Sequence, residues 1–138
     1  MAVAIGTEQF ERPPKMNARR SEIIKKYMEG IKDIDGIEPL LPYEPENYVY
    51  QMFGIPAEKR DELMIHLKSQ GVATGCHYTP LSIQTLFKPY AGDCSYIEKE
   101  HNKFIALPLH TDLRDEEVKY VVEKIKEFEH GSVSSRTQ

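Results

Sequence analysis

The sequence predicts an α+β fold, a small and mostly antiparallel sheet with helices packed over one face. Three observations predict it. Apolar residues recur at spacings of three and four in a long stretch near each end of the chain. Between them lie three short runs rich in branched and aromatic residues, the composition of strands. Their order is helix, strand, helix, strand, short helical pieces, strand, helix, which suits helices layered on a small sheet.

The first fifteen or so residues, Met1 to Lys15, show no clear periodicity and end in Pro13-Pro14-Lys15. Residues 1–16 therefore read as an extension or arm, residues 17–130 as the folded domain, and residues 131–138, polar and small, as a flexible tail. From Asn17, which reads as an N-cap, Ile23, Ile24, Tyr27, Met28 and Ile31 form one apolar helical face ending near Gly30 to Asp33. Gly36, Pro39, Pro42 and Pro45 exclude helix from the next segment. Tyr48 to Ile55 is apolar on nearly both alternating faces, as a strand covered on both sides would be.

Pro56 reads as the first turn of a helix with Leu63, Met64 and Leu67 on its buried face, closed by Gly71 as a C-terminal glycine cap. Val72 to Tyr78 reads as a second strand, stopped by Thr79-Pro80 because proline cannot donate to a ladder. Short helical pieces are expected at Ile83 to Phe87 and Tyr96 to Phe104, and a third strand at Ile105 to Leu109. The last helix carries Val118, Val121, Val122, Ile125 and Phe128 on one face, with Asp115, Glu116 and Glu117 in its first turn as the macrodipole prefers.

Composition excludes several classes. The chain has 138 residues, 40% of them hydrophobic and 29% charged, which is the make-up of one globular domain. No apolar run is long enough to span a bilayer, and no basic, apolar leader opens the chain, so a cytoplasmic protein is expected. A net charge of −4 argues against a nucleic-acid partner. Cys76 and Cys94 read as free thiols, and no Cys or His pair has metal-ligand spacing. Arg19-Arg20 and Lys25-Lys26 read as solvated helix faces, as do His66 and His101. His110 reads as a strand terminator, and His130 as a cation at the end of the last helix.

Gly71 to Leu81 includes His77-Tyr78-Thr79-Pro80-Leu81-Ser82, and Ala106-Leu107-Pro108-Leu109-His110 follows about thirty residues later. With Arg19-Arg20, the tyrosine-rich Tyr48 to Ile55 and Arg60-Asp61 before them, and Glu116 to Val121 after, these motifs resemble the C-terminal domain of the DegT/DnrJ/StrS-type sugar aminotransferases, enzymes that depend on pyridoxal phosphate. The resemblance runs from about Asn17 to about Phe128. The family's loop reads His-Tyr-x-Pro-Leu-His and faces the active-site mouth, so the resemblance makes His77, Tyr78 and Ser82 the candidate substrate-binding residues. Here Ser82 replaces the last histidine, which can touch a sugar nucleotide.

Each candidate also has a structural reading. A histidine ending an apolar strand commonly satisfies a backbone hydrogen bond, and a tyrosine there commonly packs with its hydroxyl wet. Cys76 and His77 are neighbours in an expected strand, so their side chains should point to opposite faces rather than pair as thiolate and base. Asp115-Glu116-Glu117 already has a purpose in starting a helix. Transamination needs a desolvated lysine for a Schiff base, an acid for the pyridine nitrogen and a phosphate cradle. The lysines here fall mostly on polar helix faces, and no glycine-rich phosphate loop appears.

No catalytic residue, cofactor-binding residue or metal ligand is therefore expected, and no cofactor in the isolated chain; pyridoxal phosphate would enter only with an N-terminal aminotransferase half. The leading expectation is a stand-alone or truncated C-terminal domain, not catalytic alone, acting through self-association or a partner. Alternatives are a subunit of a split sugar-nucleotide aminotransferase and a sugar-nucleotide-binding module without chemistry.

Overall fold

Two prolines open the first helix. Helix α1 is Pro13–Ile31, with proline in its first turn, where a backbone N–H would lack an intrahelical partner anyway. It starts four residues before Asn17, so the expected cap lies inside the helix. The structure, a computed structural model, describes residues 6, 9–34, 37 and 48–134, with 130–134 described by backbone alone. Most of the proline-rich segment Asp35 to Asn47, the His130 side chain and residues 135–138 of the expected tail lie outside the described residues.

Along α1 the buried side chains are Ile23, Ile24, Tyr27 and Ile31, the predicted face. They meet α4, Asp115–Ser134, whose Val118, Val121, Val122 and Ile125 are buried in the same core. The two helices run in the same sense. Asp115 at the start of α4 meets Arg19 and Lys26, while Val122, two turns on, meets Gly30. A Cβ at Gly30 would stand 2.8 Å from both γ carbons of Val122, so glycine sets how closely the helices approach. The α4 backbone stays helical to Ser134, past the start of the expected tail at Gly131.

The sheet is smaller than its three expected strands. β1 is Phe53–Pro56 and β2 is Phe104–Leu107, antiparallel, with Phe53 opposite Leu107 and Gly54 opposite Ala106. Burial of Phe53, Gly54 and Ile55 in succession agrees with a strand covered on both sides. The expected start at Tyr48 is not paired, and Tyr48 and Val49 are exposed. Pro56 ends β1 instead of starting a helix. Its neighbour Ala57 donates to the Lys103 carbonyl at 2.8 Å.

The expected strand Val72 to Tyr78 reduces to one antiparallel bridge, Gly75 with Ala106, whose two N–H···O bonds measure 3.1 and 2.7 Å. β2 therefore lies in the middle. Beyond Gly75 the run has no alternating apolar side chains to bury, and the Cys76 sulfur turns toward Arg60 and His101.

Between bridge and β1 lies α2, Arg60–Ser69, with Leu63 and Leu67 buried. It ends as predicted on Gly71, at φ 76°, a conformation that only glycine adopts without strain. The N–H of Gly71 bonds the Lys68 carbonyl at 3.0 Å and that of Val72 the Leu67 carbonyl at 2.9 Å, a Schellman closure. After the bridge come two short 3₁₀ turns, Leu81–Ile83 and Lys88–Tyr90, in place of the one helical piece expected at Ile83 to Phe87, and helix α3, Ser95–His101, which covers most of the expected Tyr96 to Phe104. No helix among the described residues is long and apolar enough to cross a membrane.

Candidate functional site

The loop after Gly75 carries the predicted residues, and its course follows from glycine. A Cβ at Gly75 would stand 2.5 Å from Cε1 of His77, so the imidazole lies over the bare backbone of Gly75. The Tyr78 ring meets the His77 ring edge-on, with centroids 5.1 Å apart. Both side chains are exposed, Tyr78 at 78%. They line a pocket of about 200 Å³ with Pro80, Ile97, His101 and Phe104.

Ser82 is absent from that wall. It is buried at 9% exposure in the first 3₁₀ turn, and its Oγ has no hydrogen-bond partner. The structure thus brings His77 and Tyr78 together and sets Ser82 apart.

Three residues that spacing did not connect meet behind the loop. Arg60 Nη1 donates to Cys76 Sγ at 2.9 Å. The two ring nitrogens of His101 lie 3.7 and 3.8 Å from the same sulfur. Arg60 Nε stands 2.6 Å from Asp61 Oδ1, an ion pair in which the N–H does not point at the oxygen. The strand expected to point Cys76 and His77 to opposite faces does not form there, and the sulfur's partners come instead from the start of α2 and the end of α3. His101 is half-buried, not solvated as expected. His66 also differs, since its Nε2 lies 3.1 Å from the Lys124 carbonyl and its ring 5.6 Å from Phe128. His110 is exposed, with its carbonyl closing a turn onto the Leu113 N–H.

Charge gathers at the other end of the core, where Arg19 and Lys26 leave the solvated role expected of them. Arg19 binds Asp115 at 2.9 Å, Glu22 at 3.2 Å and the Leu113 carbonyl, and Lys26 pairs with Asp115 as well. Hydrogen bonds from Lys26 and Arg19 hold the Asp115 carboxyl below the usual carboxylate range. Arg114 does the same to Glu117, which also accepts the Arg114 backbone N–H at 2.8 Å. These carboxylates hold the start of α4 and its approach to α1, as their place in the first turn predicts.

The fold and loop order match a known family. Its sequence pattern covers residues 1–126. The chain belongs to the DegT/DnrJ/EryC1/StrS aminotransferase family. It corresponds to the C-terminal part of the sugar aminotransferases in that family. Among its relatives, a pleiotropic regulatory protein of Geobacillus stearothermophilus is 32% identical over 93% of this chain and 36% of its own length. A dTDP-4-dehydro-2,3,6-trideoxy-D-glucose 4-aminotransferase of Saccharopolyspora spinosa is 29% identical over 99% of this chain and 36% of its own. The crystal structure of the aminotransferase TlmJ from Streptoalloteichus hindustanus superposes with a TM-score of 0.80 at 26% identity, over 91% of this chain and 35% of that one. The chain thus spans about a third of the length of the relatives it matches.

Family enzymes depend on pyridoxal phosphate, whose aldehyde needs a lysine freed of its proton by desolvation. Every lysine of this chain is exposed or half-buried. Glu58 and Glu127 raise the pKa values of Lys103 and Lys124, the opposite of what an imine-forming lysine requires. The lysines present therefore do not fit the cofactor's aldehyde.

Proposed function

We propose that this chain is the C-terminal domain of a sugar-nucleotide aminotransferase, that it does not transfer amino groups by itself, and that it acts by association. One observation carries the reading. From Tyr78 to Ile97 the chain exposes Tyr78, Leu81, Ile83, Leu86, Phe87, Tyr90, Tyr96 and Ile97, with Leu86 at 74%, Tyr90 at 86% and Tyr96 at 77%. Single apolar side chains on a surface are ordinary, but a run of eight in twenty residues supports a surface that another protein would cover. In the isolated chain that cover is a second copy. The lysine environments agree with a domain that leaves the cofactor chemistry to another part of a family enzyme.

The same run supports a second reading, because the His77 and Tyr78 pocket opens beside it. A separately encoded half would cover the patch and supply the lysine and pyridoxal phosphate, while His77 and Tyr78 contribute substrate contacts for a keto-sugar nucleotide. Titrating the chain with pyridoxal phosphate, removing free cofactor by gel filtration and reading absorbance tests the leading reading. No retained chromophore is expected, and a retained one would overturn it. Amino transfer restored by co-expression with the N-terminal part of a family member would favour the split enzyme.

A further inference from the structure

We propose that Cys76 is a modification site, a nucleophilic thiol set between Arg60 and His101 that reacts with small peroxides and haloacetamides. The argument is geometric and independent of the aminotransferase reading. A thiol attacks as its thiolate, so a reactive cysteine needs a cation beside the sulfur, a group to accept its proton, and access. Cys76 has the cation and a neighbouring imidazole, and it is only partly buried. Arg60 Nη1 is 2.9 Å from the sulfur, and the Arg60 side chain is only 13% exposed, which holds the guanidinium in place. Asp61 faces the Nε edge of that guanidinium and leaves the Nη1 edge to the sulfur. The sulfur lies 3.7 and 3.8 Å from the two ring nitrogens of His101, facing the ring between them. His101 also lines the pocket of about 200 Å³, so the group that touches the sulfur borders a space of small-molecule size. Glu100 on that wall is the nearby carboxylate of α3.

The contrast lies within the same chain. Cys94 is half-buried like Cys76, but no cation or ring nitrogen bonds its sulfur among the described residues. Burial is thus matched between the two thiols and the electrostatic surroundings are not.

With hydrogen peroxide the sulfur attacks one oxygen, the S–O bond forms as the O–O bond breaks, and the departing hydroxide takes the thiol proton. The products are a sulfenic acid and water; sulfur loses two electrons and the peroxide gains them.

Mass spectrometry on the full chain tests this through the rates of iodoacetamide labelling at Cys76 and Cys94. Cys76 should label on the order of tenfold faster. Arg60→Met and His101→Gln should each slow Cys76 several-fold and leave Cys94 unchanged, and Arg60→Lys should restore part of the rate. Brief hydrogen peroxide followed by dimedone should tag Cys76 and spare Cys94. Equal rates at the two thiols in the unaltered chain would overturn the proposal, as would a Cys76 rate indifferent to both variants. If either variant unfolds, Cys94 also accelerates; the rate ratio in the unaltered chain and the dimedone result then decide alone.

Discussion

The ring of Tyr27 lies flat on that of Phe53, with centroids 5.4 Å apart and planes 9° from parallel, while its hydroxyl donates to the Pro108 carbonyl at 3.1 Å. One fully buried side chain thereby joins α1 to β1 and to the residue after β2. Tyr27→Phe keeps the stack and leaves the Pro108 carbonyl without this donor. It should cost about 1 kcal/mol in urea unfolding, the loss of one part-buried hydrogen bond. Tyr27→Ala, which also opens a cavity, should cost about 3–5 kcal/mol.

Tyr27 gives alkaline stability a sign as well. Burial pushes its phenol well above the ordinary value of 10.0, so the folded protein holds that proton where the unfolded chain releases it. The contribution is fully present below about pH 10 and is lost as pH rises from there toward the folded value. Urea midpoints at pH 8 and pH 11 should fall further for the unaltered chain than for Tyr27→Phe. Equal losses would mean that Tyr27 ionises as easily folded as unfolded.

At the acid end the sign reverses. Asp115 is held below its ordinary value by Lys26 and Arg19, so its contribution is present above that value and is lost as pH falls through the lower, folded one. Asp115→Asn should flatten the acid limb of a stability curve below about pH 4. Circular dichroism melts from pH 6 to pH 2 measure this directly.

Gly54 and Phe104 should behave as a coupled pair. A Cβ at Gly54 would fall inside the Phe104 ring, so Gly54→Ala should destabilise by about 1–3 kcal/mol. Paired with Phe104→Ala, where the ring is gone, the same change should cost far less, and a double-mutant cycle on chemical denaturation reads the difference.

These packing relations were partly legible in the sequence. The apolar faces of α1 and α4 followed from spacing alone, and Gly71 as a helix terminator followed from its place after Leu67. Strand ends were not legible, because pairing depends on partners distant in the chain. Tyr48 and Val49 have strand-forming side chains yet lie outside the ladder, and Val72 to Tyr78 keeps a single bridge. The site divided in the same way. His77 and Tyr78 lay in a readable loop motif, whereas Arg60, Cys76 and His101 come from three segments whose separations, 16 and 25 residues, carry no pattern. Arg19 and Lys26 looked solvated because their partner, Asp115, is nearly a hundred residues away from Arg19.

The central claim, that the apolar run from Tyr78 to Ile97 is an association surface, is tested most directly by light scattering on the purified chain over a range of concentrations. A mass at least twice 15.9 kDa is expected, falling toward 15.9 kDa in a Leu86→Ser, Tyr90→Ser variant. A chain that stays at 15.9 kDa at every concentration would contradict it.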